Sequence, residues 1–168
     1  MNYLKLNDVC LNITDGTHST VVDDSNGECY LLSCKNVKNG SISITGSDRK
    51  INLSTLYSLR KRTKMSINDI VLTTVGTIGE SSVINVEQPN FEFQRSVAII
   101  KPNLNLIKPK FLHYYLISAK GQVQIKSRIK GAAQPCLFLN DLQEIEIPKI
   151  DVSKQQHIVD NRRLSYVS

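Results

Sequence analysis

No apolar run in this sequence of 168 residues approaches the ~18 residues that a membrane-spanning helix requires, so no membrane span is expected. The opening Met1-Asn-Tyr-Leu-Lys-Leu-Asn-Asp8 lacks the continuous apolar core of a signal peptide, and a cytoplasmic location is expected. Internal repeats, low-complexity tracts and Pro/Gly-rich linkers are missing too, which leaves one folded domain of ordinary size. Cysteine is sparse: Cys10, Cys29, Cys34 and Cys136 read as free thiols in a reducing compartment, some of them buried. Cys29 and Cys34 do not have zinc-knuckle spacing, and His18, His113 and His157 fall on different elements. No metal site is expected.

Catalytic patterns are equally scarce. An amino-methyltransferase carries an Asn/Asp-Pro-Pro-Tyr/Phe pocket, and Gln88-Pro-Asn-Phe91 lacks both the leading Asn or Asp and the second proline. No glycine-rich motif suits S-adenosylmethionine. Cys34 or Cys136 could pair with His18 or His113 as nucleophile and base, but nothing in the local sequence supports it. Gly76-Thr-Ile-Gly79 follows a strand pattern, yet Glu80 stands where a phosphate-binding loop has its lysine. The same residues match the Gly-x-x-Gly clamp of an RNA-binding KH domain, but β-branched residues surround them where that module needs helices. A tight turn between two strands fits them better. His18, in Asp15-Gly-Thr-His18, reads as a loop residue that hydrogen-bonds the turn at Asp15 and Gly16.

Acid is absent from two long stretches. Residues 49–68 hold six bases and no acid, and residues 93–140 hold eight bases and no acid. Together they carry fourteen of the 21 Lys and Arg residues, within a net charge of +6. Folding that brings both blocks together would make the positive face that a phosphate backbone needs. A solvated basic surface without a partner gives the same pattern.

The hydrophobic pattern predicts a mixed α+β domain: a strand-rich body, a central helix and a short C-terminal helix. Tyr30–Ser33 is a strand, with Ile42–Thr45 as its hairpin partner across Asn39-Gly40. Ile70–Val75 and Ser82–Val86 flank the glycine turn, and Ser96–Ile100 is a strand closed by Pro102. Leu112, Leu116, Ala119 and Val123 recur on one face of a single helix begun near Pro109. Ile145 and Ile147 alternate with Glu144 and Glu146 as a half-buried strand, and Asp151 or Ser153 caps a last helix through Gln155, Ile158 and Val159.

Within the first basic block, a helix spans Ser54 to Met65, capped by Ser54, and ends in Arg60, Lys61, Arg62 and Lys64. These four, with Lys126 and Lys130, are the candidate phosphate contacts, which fix position without reading sequence. Base reading needs polar side chains aimed into a groove. The candidates by residue type and neighbourhood are Lys35, Asn36, Thr73, Thr74, Arg95, Arg128 and Gln134.

Eight short signatures occur in order: Asp15-Gly-Thr-His18, Leu32-Ser-Cys-Lys-Asn-Val37, Asp69-Ile-Val-Leu-Thr-Thr-Val-Gly-Thr-Ile-Gly79, Gln94-Arg-Ser-Val-Ala-Ile-Ile100, Phe111-Leu-His-Tyr-Tyr-Leu-Ile-Ser118, Gly131-Ala-Ala-Gln-Pro135, Asp141-Leu-Gln-Glu-Ile-Glu-Ile-Pro148 and Gln155-Gln-His-Ile-Val159. In this order they resemble one target-recognition domain of a type I restriction-modification specificity subunit, HsdS, from about Leu4 to Val159. The resemblance implies a DNA methylase specificity domain-like fold over 1–150 and the start of a spacer helix over 151–168. It implies sequence-specific binding of double-stranded DNA and no chemistry or cofactor of its own. S-adenosylmethionine would be held by a partner methyltransferase subunit, and a restriction motor-nuclease subunit could join. After Val159 the sequence departs from the family's apolar heptads. That leaves either a half-subunit that forms a homodimer through the C-terminal helix or a truncated gene product, and the abrupt change favours truncation. A protein-interaction module that docks a methyltransferase or sister subunit is the alternative, and an RNA-binding domain the more distant one.

Overall fold

The computed structural model describes residues 1–165 and is a mixed α+β domain built on a four-stranded antiparallel sheet. The sheet runs in the order β2 (Cys10–Asp15), β10 (Val97–Pro102), β7 (Ile70–Thr73) and β8 (Ser81–Val83). Because both of its faces are covered, β10 reads as an unbroken apolar run, Val97-Ala-Ile-Ile100, rather than as an alternation. On one face Ile13, Ile70, Leu72, Ala98 and Ile100 pack with Leu112, Leu116, Ile125 and Leu142. Those partners come from α2 (Pro109–Ile117), α3 (Ala119–Ser127) and α4 (Leu139–Gln143). On the other face Val71, Val97 and Ile99 meet Leu32, Met65 and Phe93.

This second layer is a three-stranded sheet of β6 (Arg49–Ile51), β3 (Cys29–Leu32) and β9 (Phe91–Phe93), with α1 (Leu53–Thr63) packed outside it. The two remaining pairs are small. β1 (Tyr3–Lys5) pairs with β11 (Glu146–Pro148), and β4 (Val37–Lys38) with β5 (Ser41–Ile42). The chain ends in α5 (Val152–Ser165), and residues 166–168, the end of the expected spacer helix, lie outside the described residues. No helix among the described residues is long and apolar enough to cross a membrane.

Three expectations change. Ile42–Thr45 does not pair with Tyr30–Ser33. Asn39 and Gly40, at φ 53° and 76°, close a two-residue hairpin between β4 and β5. β3 pairs instead with β6 antiparallel and with β9 parallel, Tyr30 opposite Phe91. The helix after Pro109 is two helices broken at Ser118, whose ψ of 163° ends α2 and begins α3. Its hydroxyl donates to Tyr115 O at 2.6 Å and accepts from Gly121 N at 3.2 Å. The break turns the apolar face, so Val123 is 68% exposed while Ile125 is buried. Gly121 is required there, since a Cβ would lie 2.2 Å from Tyr115 O. The cap of α1 is Asn52 rather than Ser54, because Asn52 Oδ1 accepts from Thr55 N at 2.8 Å. Ile145 and Ile147 are buried and Glu144 and Glu146 exposed, as the alternation predicts.

Candidate nucleic-acid interface

The antiparallel register puts Asp15, Val97, Thr73 and Ser81 at the same end of the four-stranded sheet. The loops leaving this end are tied to each other by backbone bonds. Thr17 N donates to Phe93 O at 2.8 Å, and Arg95 N donates back to Thr17 O at 3.1 Å. Gly16 makes this approach feasible: a Cβ there would lie 2.1 Å from Gln94 O. Thr74 N donates to Ser96 O at 2.9 Å, and Leu137 N to Thr74 O at 2.9 Å. Cys34 N donates to Ser96 Oγ at 3.0 Å, which draws in the 3₁₀ turn Cys34–Asn36. Five segments that are far apart in sequence, around 16–18, 34–36, 74–79, 94–96 and 131–137, therefore form one surface.

The turn Gly76-Thr-Ile-Gly79 lies at the centre of this surface and joins β7 to β8, as its β-branched flanks predict. Gly76 and Gly79 have φ of 76° and 100°, and a Cβ on Gly76 would meet Cys34 Sγ at 2.9 Å. The Thr73 hydroxyl donates to Thr77 O and accepts from Glu80 N at 2.9 Å, so it holds the turn from inside. Thr77 is left exposed at the tip. His18 Nε2 and Asp15 Oδ2 are 2.7 Å apart, the local bond expected of that loop.

The two basic blocks meet at this end. The Arg62 guanidinium donates to Asp15 O and Gly16 O at 2.6 Å each, which fastens the C-terminus of α1 to the end of β2. Arg95, from the second block, lies close enough to Cys136 for its charge to oppose the burial that pushes the Cys136 thiol up. Burial likewise raises Cys10, to about 12, and Cys29, so these thiols stay protonated at neutral pH.

The candidate residues sort into three groups. Arg95 and Gln134 are exposed on this surface, and their side chains form no hydrogen bond or ion pair among the described residues. Lys61, Lys64 and Lys126 are also exposed without an ion pair among the described residues. Lys61 and Lys64 flank Arg62 at the end of α1, and Lys126 lies one turn beyond Gln122, which donates to Gly79 O at 3.1 Å. Lys35 and Lys130 are exposed but carry ion pairs, with Asp48 at 3.2 Å and Asp141 at 2.9 Å. The Lys130–Asp141 pair is at the surface and worth about 0–1 kcal/mol, so Lys130 can exchange its acid for a phosphate; Lys35 is exposed, but its partner Asp48 is buried and also accepts from Thr45 N at 2.7 Å.

The others are structural. Arg60 is not a surface cation: it pairs with fully buried Glu92 and donates to Pro89 O at 3.0 Å and Phe91 O at 2.8 Å. Arg62 is committed to the β2 end as described. Asn36 is 4% exposed, accepting from Ser33 N at 2.9 Å and donating to Ser43 O at 2.9 Å, so it shapes its turn and cannot reach a base. Thr73 and Thr74 are buried, at 0% and 3% exposure, and cannot read bases either. Arg128 donates to Gln124 O at 3.1 Å and Glu144 O at 3.4 Å, which holds it along the end of α3. Sequence reasoning did not single out Thr77 or His18 as contacts, although both are exposed here; the glycine turn that projects Thr77 was the available signal. Among the described residues no cluster of His, Cys, Asp and Glu could hold a metal ion.

Residues 2–161 match the family model described as the type I restriction modification DNA specificity domain. The chain is 36% identical over 99 residues to the type I restriction enzyme EcoBI specificity subunit of Escherichia coli, covering 59% of this chain and 21% of that protein. Its fold is similar to the type I restriction-modification S subunit of M. genitalium, with TM-score 0.64 and 14% identity, over 97% of this chain and 38% of that one. It is also similar to the HsdS subunit of Thermoanaerobacter tengcongensis, with TM-score 0.62 and 17% identity, over 95% and 35% of the two chains. The chain thus spans about a fifth of the curated relative it matches and little more than a third of these solved structures.

Proposed function

This chain belongs to the type I restriction modification DNA specificity domain family, and from that premise we propose that it binds double-stranded DNA sequence-specifically through the loop surface at the β2–β10–β7–β8 sheet end. The observation that carries this reading is the union of the two acid-free stretches at one surface, fixed by Arg62 on Asp15 and Gly16 and by the bonds that join residues 74, 96 and 137. Lys61, Lys64 and Lys126 contact phosphates on either side, with Lys130 able to join them once released from Asp141. Arg95, Gln134 and Thr77 face the bases. Arginine and glutamine suit this task because each can make two parallel bonds to one base edge in the major groove.

The reading gives the chain a reading role and leaves chemistry to partners. A methyltransferase subunit would bring S-adenosylmethionine, and a motor-nuclease subunit could join to restrict unmodified DNA. Repeated selection from a pool of random duplexes tests it. Enrichment of a defined sequence is expected, and a pool that stays random through the selection would overturn sequence-specific reading.

A further inference from the structure

The end of the second basic block, residues 131–140, holds neither acid nor base. It opens with a closed loop. Lys130 N donates to Cys136 O at 2.9 Å and Cys136 N to Lys130 O at 2.8 Å, so residues 131–135 project between them. Gly131, at φ 99°, lets the loop close, since a Cβ there would lie 2.6 Å from Gln134 O. Ala132, Ala133 and Pro135 are exposed along it. Cys136 then pairs antiparallel with Val75, which fixes the segment against the glycine turn.

Phe138 follows in extended conformation, with φ −72° and ψ 149°. Successive residues of an extended segment face opposite sides. Leu137 is 1% exposed and packs in the core, so Phe138 and Cys136 share the outer side. Arg95 lies on that side too, since its charge acts on the Cys136 thiol. Phe138 is 52% exposed, and its ring meets no other ring among the described residues. With the two alanines and Pro135 it gives the candidate DNA surface an apolar edge beside its basic ones.

Chemistry limits what such an edge can meet on a duplex. Phosphates and polar base edges require charge or hydrogen bonds, which a phenyl ring and methyl groups do not supply. In the major groove the apolar group on offer is the C5-methyl of thymine. Gln134, within the same loop, suits adenine, whose N6 and N7 its amide can bond as a pair. Adenine under Gln134 and thymine under Phe138 both place A·T pairs beneath this segment. An exposed phenylalanine can instead wedge between base steps from the minor groove. That use would part the ring from Arg95 and Gln134, whose paired contacts lie in the major groove.

We infer that Phe138 is a specificity-determining residue, which packs on the C5-methyl of a thymine close to the base that Gln134 reads. The inference rests on the DNA reading proposed above. The test uses the whole chain and a duplex selected from the random pool, with each thymine in turn replaced by deoxyuridine. That replacement removes the methyl and leaves every hydrogen-bonding group of the base in place. At one position it is expected to weaken binding about fourfold, the loss of one buried methyl. Phe138→Ala should bind the thymine and deoxyuridine duplexes equally at that position, and keep the wild-type response to deoxyuridine elsewhere. Phe138→Leu should retain part of the discrimination, and it keeps an apolar side chain there should the alanine variant unfold. A defined site that lacks thymine, or binding that no deoxyuridine weakens, would overturn the inference with the wild-type protein alone. So would a Phe138→Ala protein that still prefers thymine at the same position. A pool that stays random through selection instead removes the DNA reading, and this inference with it.

Discussion

Arg62 donates to the main-chain carbonyl of Asp15 at 2.6 Å, and this contact joins the only long helix of the first basic block among the described residues to the end of the central sheet. With its second bond to Gly16 O, Arg62 is a brace more than a free cation. Arg62→Ala is expected to lower stability by about 1–2 kcal/mol, less than two fully buried charged bonds would give because the side chain is half exposed. Chemical denaturation checks this; an unchanged midpoint would mean that the brace is dispensable.

On the proposed reading, Lys61 and Lys64 position the duplex while Arg95 and Gln134 read it. Lys61→Ala with Lys64→Ala should weaken specific and random duplexes alike and reduce the salt slope by about one per contact. Arg95→Ala or Gln134→Ala should cost about 1–3 kcal/mol on the preferred duplex and little on random DNA. Competition binding on both duplexes measures the division. Equal losses for both pairs of variants on both duplexes would contradict it.

Buried Glu92 and its partner Arg60 give a third expectation. Glu92 is fully buried, with Thr63 Oγ1 donating to Oε1 at 2.9 Å, and its Oε2 has no partner among the described residues. Burial pushes its carboxyl up, opposed by Arg60. Arg60→Ala strands that charge and should cost about 3–5 kcal/mol, whereas Arg60→Met combined with Glu92→Leu should cost much less. Urea unfolding of the two proteins tests the difference, and equal losses would place the cost elsewhere.

Much of this was legible in the sequence, and the failures have physical causes. The apolar run 97–100, the glycine turn and the alternation at Ile145 and Ile147 are local patterns, and each forms the element it predicts. Pairing of β3 with β9 spans about sixty residues, and no local signal announces it. The cations of α1 look alike in sequence. Only the fold reveals that Arg60 meets an acid 32 residues on, while Lys61 meets solvent. The helix break hid for a similar reason, since Ser118 can sit within a helix or cap one, and the choice rests on Gly121 packing against Tyr115 O. For the site, residue type proposed a mixed set of thirteen, and burial removes Asn36, Thr73 and Thr74 from reach of any base.

His113 sets a pH response of the fold. It is buried, with Nδ1 3.1 Å from Ser81 Oγ, and burial foremost, then the Arg162 charge, lowers its pKa from 6.5 to about 4. Between those values the unfolded chain takes up a proton that the folded chain refuses. Stability should therefore fall as pH drops from 6.5 to about 4 and take no further loss from this group below that. In His113→Gln this part of the slope should vanish, measured by urea midpoints across the window. A slope that persists unchanged would assign the response to other groups.

Mapping backbone amide shifts on titration with a selected duplex tests the central claim most directly. The expected changes gather at residues 16–18, 34–36, 76–77, 94–96 and 131–134, with the β8 edge and α5 undisturbed. Changes centred on Val83, Asn85 and the start of α5, with the sheet-end loops silent, would contradict the assignment of that end as the DNA-reading surface.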